Sequence, residues 1–277
     1  MKKIKFSVLM SVYYKEKASY LDDALNSIFK QTLKPNEVVL VEDGPLNDEL
    51  YEVIDKYKKK YKYFKTVRLK KNMGLGNALN EGLKHCTYEY VARMDTDDIS
   101  LPNRFEKQIG YLEKHPEVDL IGSNIVEYDE DMINITGYRI VPESNDEIIK
   151  MMKKRNGMNH VTVIYKKDKV MKSGNYQDMP YFEDYFLWAR LLKNNCKFYN
   201  AQENLVNVRC GDSMVKRRGG KKYLVYIKRF ENKLLELEII NKKEYFKNIV
   251  ARYIAALMPN KMRGLLYSFL LRSNGSK

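Results

Sequence analysis

Tyr90-Val-Ala-Arg-Met-Asp-Thr-Asp-Asp98 joins a short apolar run to three carboxylates within four residues. A run of that length, apolar without alternation, reads as a strand buried on both faces. Upstream, strand and helix signals alternate. Ile4 to Tyr13 reads as a strand. Ala18 to Lys30 carries Leu21, Leu25, Ile28 and Phe29 at helical spacing. Glu37 to Glu42 is a buried-strand run, Leu50 to Tyr61 a helix, Phe64 to Leu69 a strand, Leu75 to His85 a helix, and Tyr88 to Met94 closes the series. This βαβα order predicts an α/β fold with a mostly parallel, Rossmann-like central sheet flanked by helices. Such sheets bind ligands beyond the carboxyl ends of their strands.

Three loops at those ends therefore draw attention: Ser11-Val-Tyr13, Glu42-Asp-Gly-Pro45 and Asp95-Thr-Asp-Asp98. A helix is expected from about Leu101, with Ser100 as its cap and Pro102 in its first turn. Between 117 and 210, strands (Val118 to Tyr128, Val161 to Tyr165) mix with helices (Asp146 to Lys154, Glu183 to Lys193). Beyond 214 only helices are read. The expected organisation is a catalytic domain over 1–213, in halves of about 1–100 and about 101–213, followed by a basic helical extension over 214–277.

The acidic cluster has a chemical reading and a bland one. Aspartates are common in solvated turns. Yet carboxylates 4 Å apart repel by about 4 kcal/mol at an effective dielectric near 20, and a loop that keeps them together has a use for a cation. Hard oxygen ligands suit Mg²⁺ or Mn²⁺, and such an ion completes its shell with phosphate oxygens of a substrate. The cluster thus points to a diphosphate ligand.

Ser7-Val-Leu-Met-Ser-Val-Tyr-Tyr14, Val38-Val-Leu-Val-Glu-Asp-Gly44, Asn72-Met-Gly-Leu-Gly-Asn-Ala-Leu-Asn80 and Met94-Asp-Thr-Asp-Asp98 together resemble the family 2 glycosyltransferases of the GT-A fold. Pro180-Tyr-Phe-Glu-Asp-Tyr-Phe-Leu-Trp-Ala-Arg-Leu-Leu192 resembles that family's later acidic motif. The match runs over about residues 4 to 210, with five motifs in order. The resemblance implies an inverting, metal-dependent transfer of sugar from a nucleotide-diphosphate donor, UDP-linked by preference, to a saccharide or lipid-linked acceptor in surface-glycan synthesis. It implies Asp43 as acceptor of the uracil N3–H. Ser11 and Tyr13 would line the nucleoside pocket. Asp95 and Asp97 would meet ribose and metal, with Asp97 and Asp98 as metal ligands for Mn²⁺ or Mg²⁺. Asp184 would be the catalytic base. Asn72 is expected near the nucleotide, with His160 and Glu183 on the acceptor side.

Each role competes with a structural one. Asp184 also suits the first turn of a helix, where the macrodipole favours an acid. Asn72-x-Gly-x-Gly is read as a helix-entry turn, because it lacks GxGxxG. Trp188 is expected in the core. Pro45 stands where many relatives have serine. No Gln-x-x-Arg-Trp motif and no membrane-spanning bundle is present, which argues against a processive synthase.

Of the net charge of +14, +12 falls between Met214 and Lys277, which holds 16 Lys/Arg against 4 Asp/Glu. Tyr245, Phe246, Ile249, Val250, Tyr253, Ile254, Leu257 and Met258 form an apolar helix face, and Met262, Leu265, Leu266, Phe269 and Leu270 repeat it beside Lys261, Arg263 and Arg272. A basic amphipathic helix of this kind either lies on an anionic membrane surface, here through 245–272, or docks on the body. Cys86, Cys196 and Cys210 form no CxxC pair, and no signal-peptide cleavage site follows the first apolar run, so a cytoplasmic location is expected, peripheral on the inner membrane face where the basic helices bind lipid. Nucleic acid is not an expected partner, because no zinc finger, RNA-binding aromatic motif or helix-turn-helix is present. The alternatives carried forward are a sugar nucleotidyltransferase and a basic nucleic-acid-binding protein.

Overall fold

The computed structural model describes residues 3–211, 219–260, 262–264 and 266. Lys216, Arg217 and Arg218 of the basic extension, and Lys261, Leu265, Phe269, Leu270 and Arg272 of the second apolar repeat, lie outside the described residues. The expected strands and helices of the first half all form. They are β1 (Phe6–Val12), α1 (Ala18–Phe29), β2 (Glu37–Glu42), α2 (Asp48–Lys60), β3 (Phe64–Arg68), α3 (Leu75–His85) and β4 (Tyr90–Arg93). The strands pair in parallel in the order β3-β2-β1-β4, which leaves their carboxyl ends on one edge.

The second half extends this sheet. Its elements are β5 (Ile99–Ser100), α4 (Arg104–Lys114), β6 (Leu120–Tyr128), β7 (Ile135–Arg139), α5 (Asn145–Met152), β8 (Ile164–Lys166), α6 (Lys167–Lys172), α7 (Glu183–Lys193) and β9 (Phe198–Arg209). β8 pairs antiparallel with both β4 and β6, β9 runs parallel to β6, β5 closes antiparallel on β9, and β7 pairs with β6. The result is a mixed sheet that is parallel across β3-β2-β1-β4.

Side-chain alternation divides the core in two. Val8, Met10, Val38 and Leu40 face α1, α2 and α4, where Leu21, Leu25, Leu50, Ile54, Phe105 and Ile109 are buried. Leu9, Val39 and Val41 face α3 and α7, where Leu79, Leu83, Leu187 and Trp188 are buried. Trp188 is fully enclosed, as expected of a core residue.

Helix α8 (Lys221–Glu236) and helix α9 (Lys242–Leu257) join this second layer. Tyr223, Ile227, Phe230 and Leu234 recur every three or four residues along α8 and are buried. In α9 the face carrying Tyr245, Ile249, Tyr253 and Ala256 packs inward. Its opposite face leaves Phe246, Val250, Ile254 and Leu257 at least half exposed. Among the described residues no helix is long and apolar enough to cross a membrane.

Two expected boundaries are corrected. The helix after the acidic turn starts at Arg104, not Leu101, and Ser100 is not its cap. Ile99–Ser100 pairs instead with β9, and the Leu101 amide donates to Leu205 O. Gln31 supplies the missing cap from a distance, since its Oε1 accepts from the Phe105 amide and its Nε2 donates to Leu101 O. The strand expected from Val161 begins at Ile164. His160–Thr162 forms a 3₁₀ turn, held by Thr162 Oγ1 bonded to Asn159 O and to the Ser123 amide.

Candidate active site

The ends of β1, β2 and β4 meet at one rim. The Asp43 amide donates to Val12 O and fastens β2 to β1. The Asp43 side chain is buried, and its two oxygens accept from the Met73 amide at 2.7 Å and the Gly74 amide at 3.1 Å. It thereby holds the turn that opens α3, where Gly74 takes φ +82°. Asn72 donates its side-chain amide to Asp43 O at 3.3 Å and so braces the same turn. Gly44 is required here, because it takes φ +89° and a Cβ would lie 2.6 Å from Asn72 N. Gly44→Ala should push the 71–74 segment away and cost about 1–3 kcal/mol in a urea titration, with nucleotide binding weakened in parallel. Tyr13, 42% exposed, stands at the mouth with Tyr14 beside it. Ser11 O accepts from Thr96 Oγ1 at 3.3 Å, tying β1 to the acidic turn.

The acidic turn is held by arginines that the sequence reading passed over. Arg93, fully buried on β4, donates to Asp95 and to Met94 O. Arg104 donates to Arg93 O at 2.8 Å. Arg209, at the end of β9, gives its amide to Asp98 Oδ1 at 2.9 Å and its guanidinium to Asp97 O at 2.7 Å, over the Tyr20 ring at 4.0 Å. Glu16 accepts from Thr96 Oγ1 at 2.9 Å. An arginine inside the otherwise apolar strand Tyr90–Met94 was the available signal for Arg93. Arg209 had none, because its role depends on β9 returning to this turn.

The three aspartates differ electrically. Burial opposes the charge of Asp95, but Arg93, by its charge and its hydrogen bond, together with His160 and Arg104 holds the carboxyl below its ordinary value. Asp97 is pushed up to about 7 by burial, then by the charges of Asp95 and Glu16. Asp98 is raised well above the usual carboxylate range by burial and by its two neighbours. Alone, the turn favours one anion over three. A divalent cation would reverse that balance. Among the described residues no three His, Cys, Asp or Glu side chains converge as a closed metal cage. The donor set suits an ion held by one or two carboxylates and completed by ligand oxygens, the usual Mg²⁺ arrangement.

The first turn of α7 carries Glu183 and Asp184. Asp184 Oδ2 accepts from Asn156 Nδ2 at 2.7 Å. Asn156 was also missed, since nothing in its own stretch marks it. Glu183 packs towards α3, its Cγ 3.8 Å from where a Cβ on Gly76 would sit. Desolvation raises the Glu183 pKa. His160 Nε2 lies 2.8 Å from Tyr176 Oη, and its ring meets Trp188 edge-on at 5.9 Å. Burial and the Arg93 charge push His160 down to about 4, so it is neutral at pH 7, while Asp184 and Asp95 both pull the other way. His160 therefore lies within the fields of both carboxylates. The structure brings Asp95 and Asp184 within electrostatic reach of His160, while Glu183 packs near Gly76 and Asp43 and Asn72 brace the turn that opens α3.

Comparison with known proteins accords with this geometry. Residues 7–177 match the model of Glycosyl transferase family 2. The chain is 42% identical over 265 residues, 95% of its length and 97% of the relative, to the amylovoran biosynthesis glycosyltransferase AmsE of Erwinia amylovora. It is 37% identical over 268 residues, 97% of each chain, to the UDP-Gal:alpha-D-GlcNAc-diphosphoundecaprenol beta-1,3-galactosyltransferase of Escherichia coli. In fold it is similar to S. aureus TarS 1-349 in complex with UDP-GlcNAc, with TM-score 0.65, 19% identity, and 98% of this chain and 75% of that one covered. It is likewise similar to a mannosyltransferase of Pyrobaculum calidifontis in complex with GDP-Man and Mn²⁺, with TM-score 0.61, 14% identity, and 100% and 77% covered. Neither the nucleotidyltransferase nor the nucleic-acid-binding alternative gains support from these matches. The chain belongs to the family 2 glycosyltransferases and is a sugar-transferring enzyme built on the GT-A fold.

Proposed function

We propose that this enzyme moves a sugar from a UDP-linked donor onto a lipid-linked saccharide by a single inverting displacement, in the assembly of a surface polysaccharide. The observation that carries the reading is an acidic turn in which burial and mutual repulsion disfavour the charges of Asp97 and Asp98, together with a separate carboxylate, Asp184, that shares the field at His160 with Asp95. The Escherichia coli relative is named for a UDP-sugar donor and a lipid diphosphate acceptor, and the TarS complex contains UDP-GlcNAc. Both favour a uridine nucleotide.

Asp43 accepts the uracil N3–H. Each of its oxygens already takes one amide, and each retains a lone pair. Tyr13 offers a stacking face to the base, Ser11 borders it, and Asn72 keeps the turn in place. Asp95 meets the ribose. Asp97, with Asp98 beside it, would hold Mn²⁺ or Mg²⁺, which as a Lewis acid offsets the charge that builds on the departing diphosphate. Asp184 takes the proton of the acceptor hydroxyl as that oxygen attacks the anomeric carbon. His160 and Glu183 border the acceptor.

A panel of nucleotide sugars with and without Mn²⁺ tests the donor. UDP-linked sugars should raise the melting temperature in a metal-dependent way, because a ligand that binds only the native state stabilises it. A response confined to GDP-linked or deoxythymidine-linked sugars would overturn the uridine assignment.

We also propose peripheral attachment to the cytoplasmic face of the membrane. The exposed row Phe246, Val250, Ile254 and Leu257 runs beside the exposed Lys243 and Lys247, the combination that enters an anionic interface. The protein should co-sediment with phosphatidylglycerol vesicles and less so at high salt. Phe246→Ser with Leu257→Ser should release it without loss of folding. Undiminished sedimentation of that variant would end the proposal.

A further inference from the structure

Tyr181 takes φ +72° directly before the turn that presents Glu183 and Asp184. A bulky L residue keeps a left-handed backbone only where its surroundings over-determine it. Here those surroundings come from the C-terminal helices. The Tyr181 ring meets Tyr223 edge-on at 5.1 Å, and Phe182 stacks on Phe230 at 4.4 Å with the planes 4° apart. Both partners lie on α8. The same pair of helices also grips the far side of Asp184. Arg252 of α9 donates to Lys154 O at 3.0 Å, two residues before the Asn156 that bonds Asp184. Its guanidinium also lies 5.6 Å from the Phe182 ring centre. Its Nε is 2.7 Å from Glu231 Oε1, an ion-pair contact outside hydrogen-bond alignment, and Glu231 is fully buried. Asn248 bridges Glu231 to Lys153 O.

We infer that the C-terminal helical pair is a positioning device for Asp184. It holds the strained Tyr181–Phe182 turn on one side and the 153–156 segment on the other, so the orientation of the proposed base depends on residues about forty to seventy positions away in sequence. Tyr181, Tyr223 and Arg252 are its positioning residues. None of them is proposed to touch substrate. The inference rests on the reading of Asp184 as base.

Steady-state kinetics on the full chain with its UDP-sugar and acceptor test it. Tyr181→Gly suits the fold, because glycine accepts φ +72° without strain, yet it removes the ring held by Tyr223. It should leave the melting temperature and the donor Kd near the parent values while kcat falls about tenfold to a hundredfold, the scale of a small misplacement of a reacting group. Tyr223→Leu should act in the same sense, and Tyr223→Phe should restore kcat. In an Asp184→Asn background, Tyr181→Gly should add little further loss, since both changes act through one group. If Asp184→Asn is slow but Tyr181→Gly and Tyr223→Leu retain parental kcat, the positioning role is wrong while the base stands. If Asp184→Asn itself keeps parental kcat, the base assignment fails and the inference with it. Equal losses from Tyr181→Gly in parent and Asp184→Asn backgrounds would also overturn it.

Discussion

Replacing Asp97 by alanine is expected to abolish metal-dependent nucleotide binding and to cut transfer by roughly a thousandfold or more, given that Lewis-acid stabilisation supplies several kcal/mol and each 1.36 kcal/mol is tenfold in rate. The electrostatics of the turn explain why the effect should be so large. Burial, then Asp95 and Glu16, push Asp97 up to about 7. Without a cation the folded protein keeps a proton there that the unfolded chain has released, so native Asp97 binds protons more tightly than unfolded. Its contribution to stability is therefore most favourable below the ordinary carboxylate value and is lost as pH rises towards 7. Metal must displace that proton. Apparent Mn²⁺ affinity, measured with UDP present, should rise with pH up to about 7 and then level, and calorimetry in buffers of different ionisation enthalpy should record proton release. Asp97→Asn should make the metal-free protein more stable than the parent at pH 8, because the penalty of a buried anion is gone, while nucleotide no longer stabilises it. An aspartate that served only the fold would destabilise when replaced. Retention of metal-dependent nucleotide binding by Asp97→Ala would remove it as the ligand.

Much of this site was legible in the chain because local signals and tertiary roles coincide there. β1, β2 and β4 are buried on both faces, so their unbroken apolar runs could be read directly, and the loops after them carry the polar residues that a parallel sheet presents at its carboxyl edge. Gly74 was legible as a helix entry because a positive φ leaves few other residues free to stand there. What escaped depends on distant pairing. β9 has exposed and half-buried positions along Ala201–Asn204, so its run is broken, and its pairing with β6 is interrupted by register shifts at Ser123–Ile125. With β9 unseen, Arg209 could not be tied to Asp97 and Asp98. The helix start was misplaced by three residues because Gln31, about seventy positions upstream, replaces the local cap. Asn156 became visible only once α7 was folded against the 153–156 segment.

Asp184→Asn separates the two accounts of the acid at the start of α7. As a first-turn residue, Asp184 interacts favourably with the helix dipole, worth about 0.3–1 kcal/mol. Its loss on that account alone would lower the melting temperature slightly and leave the turnover of the folded enzyme unchanged. As a base, it does something that no neutral isostere can. Asn156 donates to Oδ2 at 2.7 Å, and on the base reading the acceptor hydroxyl would meet Oδ1. An asparagine amide keeps the size and can still accept from Asn156, but it cannot take the proton as the new glycosidic bond forms. The expected result is a fall in kcat of about 10²–10⁴, the usual range for a positioned general base, with donor Kd and metal dependence at parental values. Glu183→Gln in the same assay should cost less than about tenfold, since Glu183 borders the Gly76 side and its charge is disfavoured by burial. If the two variants exchanged these outcomes, the base would be Glu183, and the Asn156 hydrogen bond would belong to the fold of the turn instead of to the chemistry.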